Sequence, residues 1–321
     1  MNQSLTHELL LRDFTSFILK EDDCMSNKGL AYIYLTITVS AWGSLYVVSK
    51  FVLGHVPTFT ILFLRYLVAG IALLLILRTR EPEKIERQDY KYIVMIGFVG
   101  YFLSVAAQLL GTKLSNASLA SLINSMNPVF IILFAVPVLK EKITVSKLIS
   151  VTAAVAGAYI IIGGVGNGGA MIGIIVSIFS VLTWSLMTVL VRRVTQKYDA
   201  LVVTTYSILV ALACTLPVLI YELLTTPHVQ LFDPATISSI LYMGLVCTAL
   251  SHVLWNKSLS MIEAGSCSLF YPLQPMVAVS LGGLFSGEKM SITFLMGAVL
   301  IIGGVLFSVL AGRRRNYEKS L

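Results

Sequence analysis

The sequence predicts an all-α polytopic membrane protein: ten transmembrane helices arranged as two inverted five-helix repeats. Three observations lead there. Apolar stretches of bilayer-crossing length recur along nearly the whole chain, and the basic residues between them gather on one side. Residues 93–157 and 240–304 also carry one pattern twice, 147 positions apart and without a gap.

Composition sets the class. Of 321 residues, 57% are hydrophobic and only 12% charged, with a mean hydropathy of +0.86. A soluble domain carries about 25% charged residues. Crossing the hydrocarbon core takes about 20 apolar residues per helix. Ten stretches qualify as spans 1 to 10: 29–50, 57–77, 90–110, 117–138, 143–163, 170–191, 202–224, 236–256, 264–286 and 291–311. None shows the short alternating pattern of a barrel strand, and backbone groups in lipid must be satisfied internally, so the spans are predicted helical.

Charge placement gives the orientation. The net charge of +7 invites a nucleic-acid reading, but no soluble domain is present to use it. With the N-terminus inside, nineteen of the 23 Lys and Arg fall on the cytoplasmic side. Arg78, Arg80, Lys84, Arg87 and Lys91 follow span 2, and Lys140, Lys142 and Lys147 follow span 4. Arg192, Arg193 and Lys197 follow span 6, and Arg313, Arg314, Arg315 and Lys319 form the tail. The outer side keeps Lys50, Lys113 and Lys289. This positive-inside bias places both termini in the cytoplasm.

The repeat organises the chain. Pro128, Glu141, Lys142 and Gly157 shift onto Pro275, Glu288, Lys289 and Gly304, so P-x12-E-K-x14-G occurs in both halves. Thirteen of the 65 aligned positions are identical, Gly97/Gly244 and Leu122/Leu269 among them. Five crossings per half force the second half to insert upside down. That is the architecture of secondary transporters, whose sites lie near the midplane between the repeats. The segments are a polar cytoplasmic N-terminus (1–28), the first repeat (29–163), a Gly-rich outer hinge (164–169), the second repeat (170–311) and a basic cytoplasmic tail (312–321).

Residues 1–28 hold no apolar signal core, so span 1 is the expected targeting signal. Met25 offers an alternative start to Met1; otherwise Leu5, Leu9, Leu10, Phe14, Phe17 and Ile18 suit a short amphipathic helix. Cys24, Cys214, Cys247 and Cys267 show no CxxC spacing, so neither a disulfide framework nor a metal site is expected, nor any cofactor. Ala153/Gly157, Gly169/Gly173 and Gly283/Gly287 are small-xxx-small pairs that let helices approach within one molecule, with a homodimer face as the alternative. The expected partners are the bilayer and a small-molecule substrate, not nucleic acid.

Candidate site residues come from polar and aromatic groups inside spans. Pro128 and Pro275 each remove an N–H, freeing the carbonyls of Asn124 and Tyr271, which are equivalent under the 147 shift. Asn127 and Gln274 precede the prolines and are equivalent too. The prolines are expected to kink spans 4 and 9, with broken backbone at one depth lining a cavity. Trp42 and Tyr46 of span 1, Trp184 of span 6 and Tyr206 of span 7 are the aromatic candidates, while Trp255 with Tyr32, Tyr34, Tyr90 and Tyr92 suits interfacial anchoring. Arg65 is the basic residue set deep in a span, with a substrate carboxylate, a freed carbonyl or Glu222 open as its partner. His252, expected near the inner end of span 8, titrates near neutrality and is either interfacial or a coupling group. No Asp or Glu lies at mid-span, and HExxH, a mid-membrane Asp pair and GxxxxGK[ST] are absent, which argues against an enzyme and an ATP-driven pump.

These motifs together resemble the EamA-type branch of the drug/metabolite transporter superfamily. Ala41-Trp42-Gly43, the Pro57-to-Arg65 segment, Leu254-Trp255-Asn256 and the two P-x12-E-K segments carry the resemblance over residues 29–311. It implies a multi-pass plasma-membrane carrier with a central cavity, exporting amino acids or other small metabolites. His252 departs from the expected aromatic, and Ser207 stands near the place answering Arg65. The reading is alternating-access export of a small neutral or zwitterionic metabolite. Efflux of lipophilic or quaternary cations is the alternative, and a non-transporting binding or scaffold protein is the alternative from another class.

Overall fold

Apolar runs become helices in the computed structural model, which describes residues 27–53, 55–81, 83–114, 123–124, 126–162, 171–226, 233–286 and 292–317. The N-terminal segment through Ser26, including Met25 and Cys24, the hinge 164–169 and the last four tail residues lie outside the described residues. No strand occurs among the described residues.

Spans 1 and 2 are α1 (Asn27–Leu53) and α2 (Thr58–Leu77). Span 3 runs through α3 (Tyr90–Met95), a π-helical segment (Ile96–Ser104) and α4 (Val105–Leu114). Span 4 is described as α5 (Asn127–Leu139) and span 5 as α6 (Val145–Ile162). Spans 6 and 7 are α7 (Met171–Val194) and α8 (Ala200–Thr225). Span 8 repeats the plan of span 3: α9 (Pro234–Gly244), a π-helical segment (Leu245–Leu250) and α10 (Ser251–Met261). Span 9 divides into α11 (Ala264–Ser268) and α12 (Leu273–Ser286), and α13 (Ile292–Tyr317) is span 10. Six of these stretches are long and apolar enough to cross a bilayer: 27–53, 58–77, 87–114, 171–194, 200–225 and 234–261.

The expected kinks at Pro128 and Pro275 are instead helix starts. Pro128 occupies the first turn of α5 and Pro275 the first turn of α12. Proline is tolerated there because a first-turn N–H has no intrahelical acceptor. Around each, the backbone winds through i→i+3 bonds: Met126 N donates to Ile123 O and Val129 N to Met126 O, both at 3.0 Å. On the other side Tyr271 N reaches Ser268 O at 3.1 Å and Gln274 N reaches Tyr271 O at 2.9 Å. The carbonyls expected to be free are therefore occupied. Asn124 O accepts from Asn127 Nδ2 at 2.8 Å, and Tyr271 O from Gln274 N.

Glycines set the helix contacts that the 147 shift exchanges. A Cβ on Gly157 would stand 2.6 Å from Gly297 O, and one on Gly304 would stand 3.1 Å from Ser150 O; Ser150 shifts onto Gly297. Gly97 and Gly244, each beside or within its π-helical segment, behave alike. Their added Cβ atoms would lie 2.5 Å from Ser207 O and 3.2 Å from Arg65 O. Small residues thus allow backbone-to-backbone approach in both halves.

Glu222 is not the partner of Arg65. Its carboxylate caps α2, accepting from Phe59 N at 3.1 Å, Thr60 N at 2.7 Å and Thr60 Oγ1 at 3.0 Å. The α2 N-terminus otherwise has no side-chain cap, since Pro57 precedes it, and a carboxylate also favours the positive end of the helix dipole.

The end of the bundle that carries Lys140–Lys147 is tied shut. Lys140, at φ 56°, takes the left-handed conformation that ends α5 and turns the chain. Glu141 then reaches across to α11, accepting from Ala264 N at 2.7 Å and Gly265 N at 3.1 Å. Lys147 lies between two carboxylates, 2.6 Å from Glu263 and 3.7 Å from Glu141. Arg192 donates to Leu259 O, Gln196 donates to Ser260 O at 3.2 Å, and Tyr32 stacks on Phe270 at 5.7 Å.

Candidate functional site

Residues at the starts of the half-helices α5 and α12 line one cavity of about 410 Å³. Its lining starts at mid-bundle with Trp42, Tyr46, Asn124, Asn127, Trp184, His252, Tyr271 and Gln274. It continues along α1 to Ser49 and Leu53, along α4 from Val105 to Lys113, and onto Pro57, Thr58 and Arg65 of the α2 entrance. The cavity therefore runs from the bundle centre toward the end opposite the Lys147 cluster. Seven of the eight sequence-nominated contact residues line it; Tyr206 does not. Tyr206 is 39% exposed, on the outer face of α8.

The polar lining is interlocked. Tyr46 Oη accepts from Asn124 Nδ2 at 2.7 Å and from Gln108 Nε2 at 3.2 Å, joining α1, α4 and the segment leading into α5. Asn127 donates to Asn124 Oδ1 at 3.0 Å and accepts from Ser185 Oγ at 3.1 Å. Ser104 and Ser180 donate to each other's carbonyls at 2.9 and 2.8 Å, fastening span 3 to α7. Gln274 lines the cavity without a side-chain hydrogen bond to any described residue.

The aromatic wall centres on Trp42. Its Nε1 donates to Cys247 O at 3.1 Å, an arrangement that orients the ring. Trp184 meets it edge-on at 5.6 Å, Tyr271 lies at 6.0 Å, and Trp184 Nε1 donates to Tyr271 Oη. Trp255 is no interfacial anchor: it is 1% exposed and packs 5.4 Å from Trp42 and 4.9 Å from Tyr271.

His252 is not interfacial either. It stands at the second residue of α10, 2% exposed, with the rings of Trp42, Tyr101 and Trp184 at 5.6, 4.8 and 5.9 Å. Nδ1 donates to Thr248 O at 2.8 Å, because a carbonyl only accepts. Nε2 has no partner among the described residues and is a bare acceptor in the neutral ring. Arg65 is 3% exposed, and its Nε donates to Thr248 Oγ1 at 3.0 Å.

Gln108, Ser104, Ser180 and Lys113 line the cavity without having been nominated. Gln108 did carry a signal, as an amide inside an apolar span with no proline to draw attention to it. The described residues hold no cluster of His, Cys, Asp or Glu able to bind a metal ion.

Comparison with known proteins gives one consistent result. The model of the EamA-like transporter family matches residues 29–163 and again 171–310. The chain is 27% identical over 312 residues to the "Uncharacterized transporter YetK" of Bacillus subtilis (strain 168), covering 93% of each chain. It is 27% identical over 289 residues to the "Probable amino-acid metabolite efflux pump" of Salmonella typhimurium, covering 87% of this chain and 95% of the relative. A solved crystal structure superposes with a TM-score of 0.74 at 18% identity, covering 88% of this chain and 98% of its own.

Proposed function

Because the chain belongs to the EamA-like transporter family, we propose that it exports a small neutral or zwitterionic metabolite, such as an amino acid, by alternating access. It is a membrane transporter and not an enzyme. The observation that carries the finer reading is the cavity of about 410 Å³, which reaches mid-bundle and stops there. Its volume falls at the small end of ligand sites, which span roughly 300–1,000 Å³. Asn124, Asn127, Tyr271 and Gln274 would contact polar parts of the substrate, and Trp42, Tyr46 and Trp184 shape an apolar wall. The printed name of the Salmonella relative supports amino acids as the first class to try.

The chain is taken as ten helices in two inverted repeats, 29–163 and 170–311, in the plasma membrane with both termini cytoplasmic. Support comes from the exchanged glycine contacts and from π-helical segments in spans 3 and 8 at equivalent places. In that orientation the cavity opens outward and the Lys147 cluster closes the cytoplasmic side. Breaks before Pro128 and Pro275 would let half-helices move against the rest of the bundle. The aromatic wall keeps efflux of lipophilic cations as the second reading.

Counterflow of radiolabelled amino acids in proteoliposomes, with and without a pH gradient, tests the proposal. Accumulation indifferent to the gradient is the result expected of a facilitator and leaves His252 structural. Accumulation that follows the gradient makes His252 the first coupling candidate. No counterflow of any amino acid would overturn the substrate class. The double variant Asn124→Ala with Gln274→Ala is expected to insert normally and to lose transport; full activity would remove these residues from the site.

A further inference from the structure

We propose that Arg65 is the receptor for a substrate carboxylate, so that the transported species carries a carboxylate and is never a simple cation. This rests on the transport reading above and names the chemistry of its site.

Arg65 lines the cavity at 3% exposure. A cation removed from water costs several kcal/mol unless it is paired, and in membrane proteins such a residue faces the interior and finds a partner. Here the expected protein partner is committed elsewhere, since Glu222 caps α2. The guanidinium makes a single hydrogen bond among the described residues, from Nε to Thr248 Oγ1. Thr248 is itself fixed, its hydroxyl donating to Met243 O at 2.7 Å within the π-helical turn. Thr248 therefore orients the guanidinium by its Nε edge and leaves the end-on fork of the two terminal nitrogens without a protein acceptor among the described residues. A carboxylate fits that fork with two parallel charge-assisted bonds.

The rest of the cavity points the same way. Its lining includes Lys113 nearer the mouth and, among the described residues, no Asp or Glu. Two cations facing one apolar chamber repel a lipophilic cation and draw in an anionic group. Once the carboxylate is seated, Arg65 is neutralised, and closing the cavity over it no longer buries an unpaired charge. An ammonium group on the same substrate would lie against the faces of Trp42 and Trp184, the usual aromatic alternative to a carboxylate partner.

The test uses wild-type protein in proteoliposomes loaded with a mixture of the neutral amino acids. The amino acid giving the largest counterflow is compared with its amide and with the amine left when its carboxylate is removed. A charge-assisted pair predicts that either change lowers counterflow roughly tenfold or more. Arg65→Gln is expected to abolish flux of the acid and Arg65→Lys to keep part of it, with size-exclusion profiles showing that both fold. Amide or amine moving as well as the acid would overturn the subsite while leaving transport intact. So would accumulation of tetraphenylphosphonium in place of amino acids. No counterflow of any of these probes would overturn the amino-acid substrate class proposed above and the subsite with it.

Discussion

Two cations lie deep in this protein and are held in opposite ways. Lys147, 5% exposed, sits between Glu141 and Glu263, and Glu141 also accepts two backbone amides of α11. Arg65, 3% exposed, has among the described residues one threonine hydroxyl and, 5.8 Å away, the face of the Tyr66 ring. At the closed end, the charges compensate one another and join the P-x12-E-K segment of the first half to the start of span 9 in the second. At the cavity, Arg65 meets no carboxylate among the described residues. The difference separates a group that holds the bundle together from one available to something that comes and goes.

Breaking the compensated side should have the largest effect on stability. Lys147→Met leaves Glu141 buried without its cation, and a loss of about 3 kcal/mol is expected from thermal or denaturant unfolding in detergent. An unchanged midpoint would mean that the amides of α11 satisfy Glu141 alone. Glu141→Gln keeps an acceptor but removes the charge, so about 1–2 kcal/mol is expected in the same assay. Arg65→Met strips a cation whose one side-chain hydrogen bond among the described residues goes to Thr248 and whose guanidinium lies 5.8 Å from the centre of the Tyr66 ring, and its stability change should stay within about 1 kcal/mol while transport is lost. A destabilisation matching that of Lys147→Met would show that Arg65 is structural after all.

The smallest effect belongs to an exposed cluster. Lys197 bridges Glu86 and Asp89 at 2.7 Å each, and its bond to Glu86 holds that carboxyl below its ordinary range. A depressed carboxyl stabilises the fold above its unfolded pKa and loses that contribution as the pH falls through the folded value. Lys197→Ala should therefore change little at neutral pH, and any difference from wild type should shrink further in acid. A difference that grows in acid would contradict the assignment.

Much of this was legible in the sequence. Span positions follow from apolar length, and the equivalence of Asn124 with Tyr271 and of Asn127 with Gln274 follows from the 147 shift; all four line one cavity. The helix breaks were not legible, because a proline inside an apolar run reads alike as a kink or as a first-turn residue. The two π-helical segments leave no comparable mark in composition. Capping of α2 by Glu222 depends on which helix ends are neighbours, which charge counting does not reveal. Tyr206 was nominated for its aromatic ring in a span, yet rotation of α8 decides which face that ring meets. Trp255 failed in the reverse sense: an aromatic near a span end looked interfacial, whereas α10 turns it inward against Trp42.

The central claim is that one end of the bundle is open at Arg65 while the other is held by Lys147. Thiol labelling compares the two directly. Cys267 lies fully buried in α11 under the Lys147 cluster, and Ser49 lines the cavity on the opposite side. In a background lacking Cys24, Cys214 and Cys247, a Ser49→Cys variant in right-side-out and in inside-out vesicles is treated with a membrane-impermeant maleimide. Modification at position 49 from outside is expected to be fast, with Cys267 protected until transported substrate or Lys147→Met exposes it from the cytoplasmic side. Cys267 reacting as fast as position 49 in the absence of substrate, or staying protected under every condition, would contradict the account.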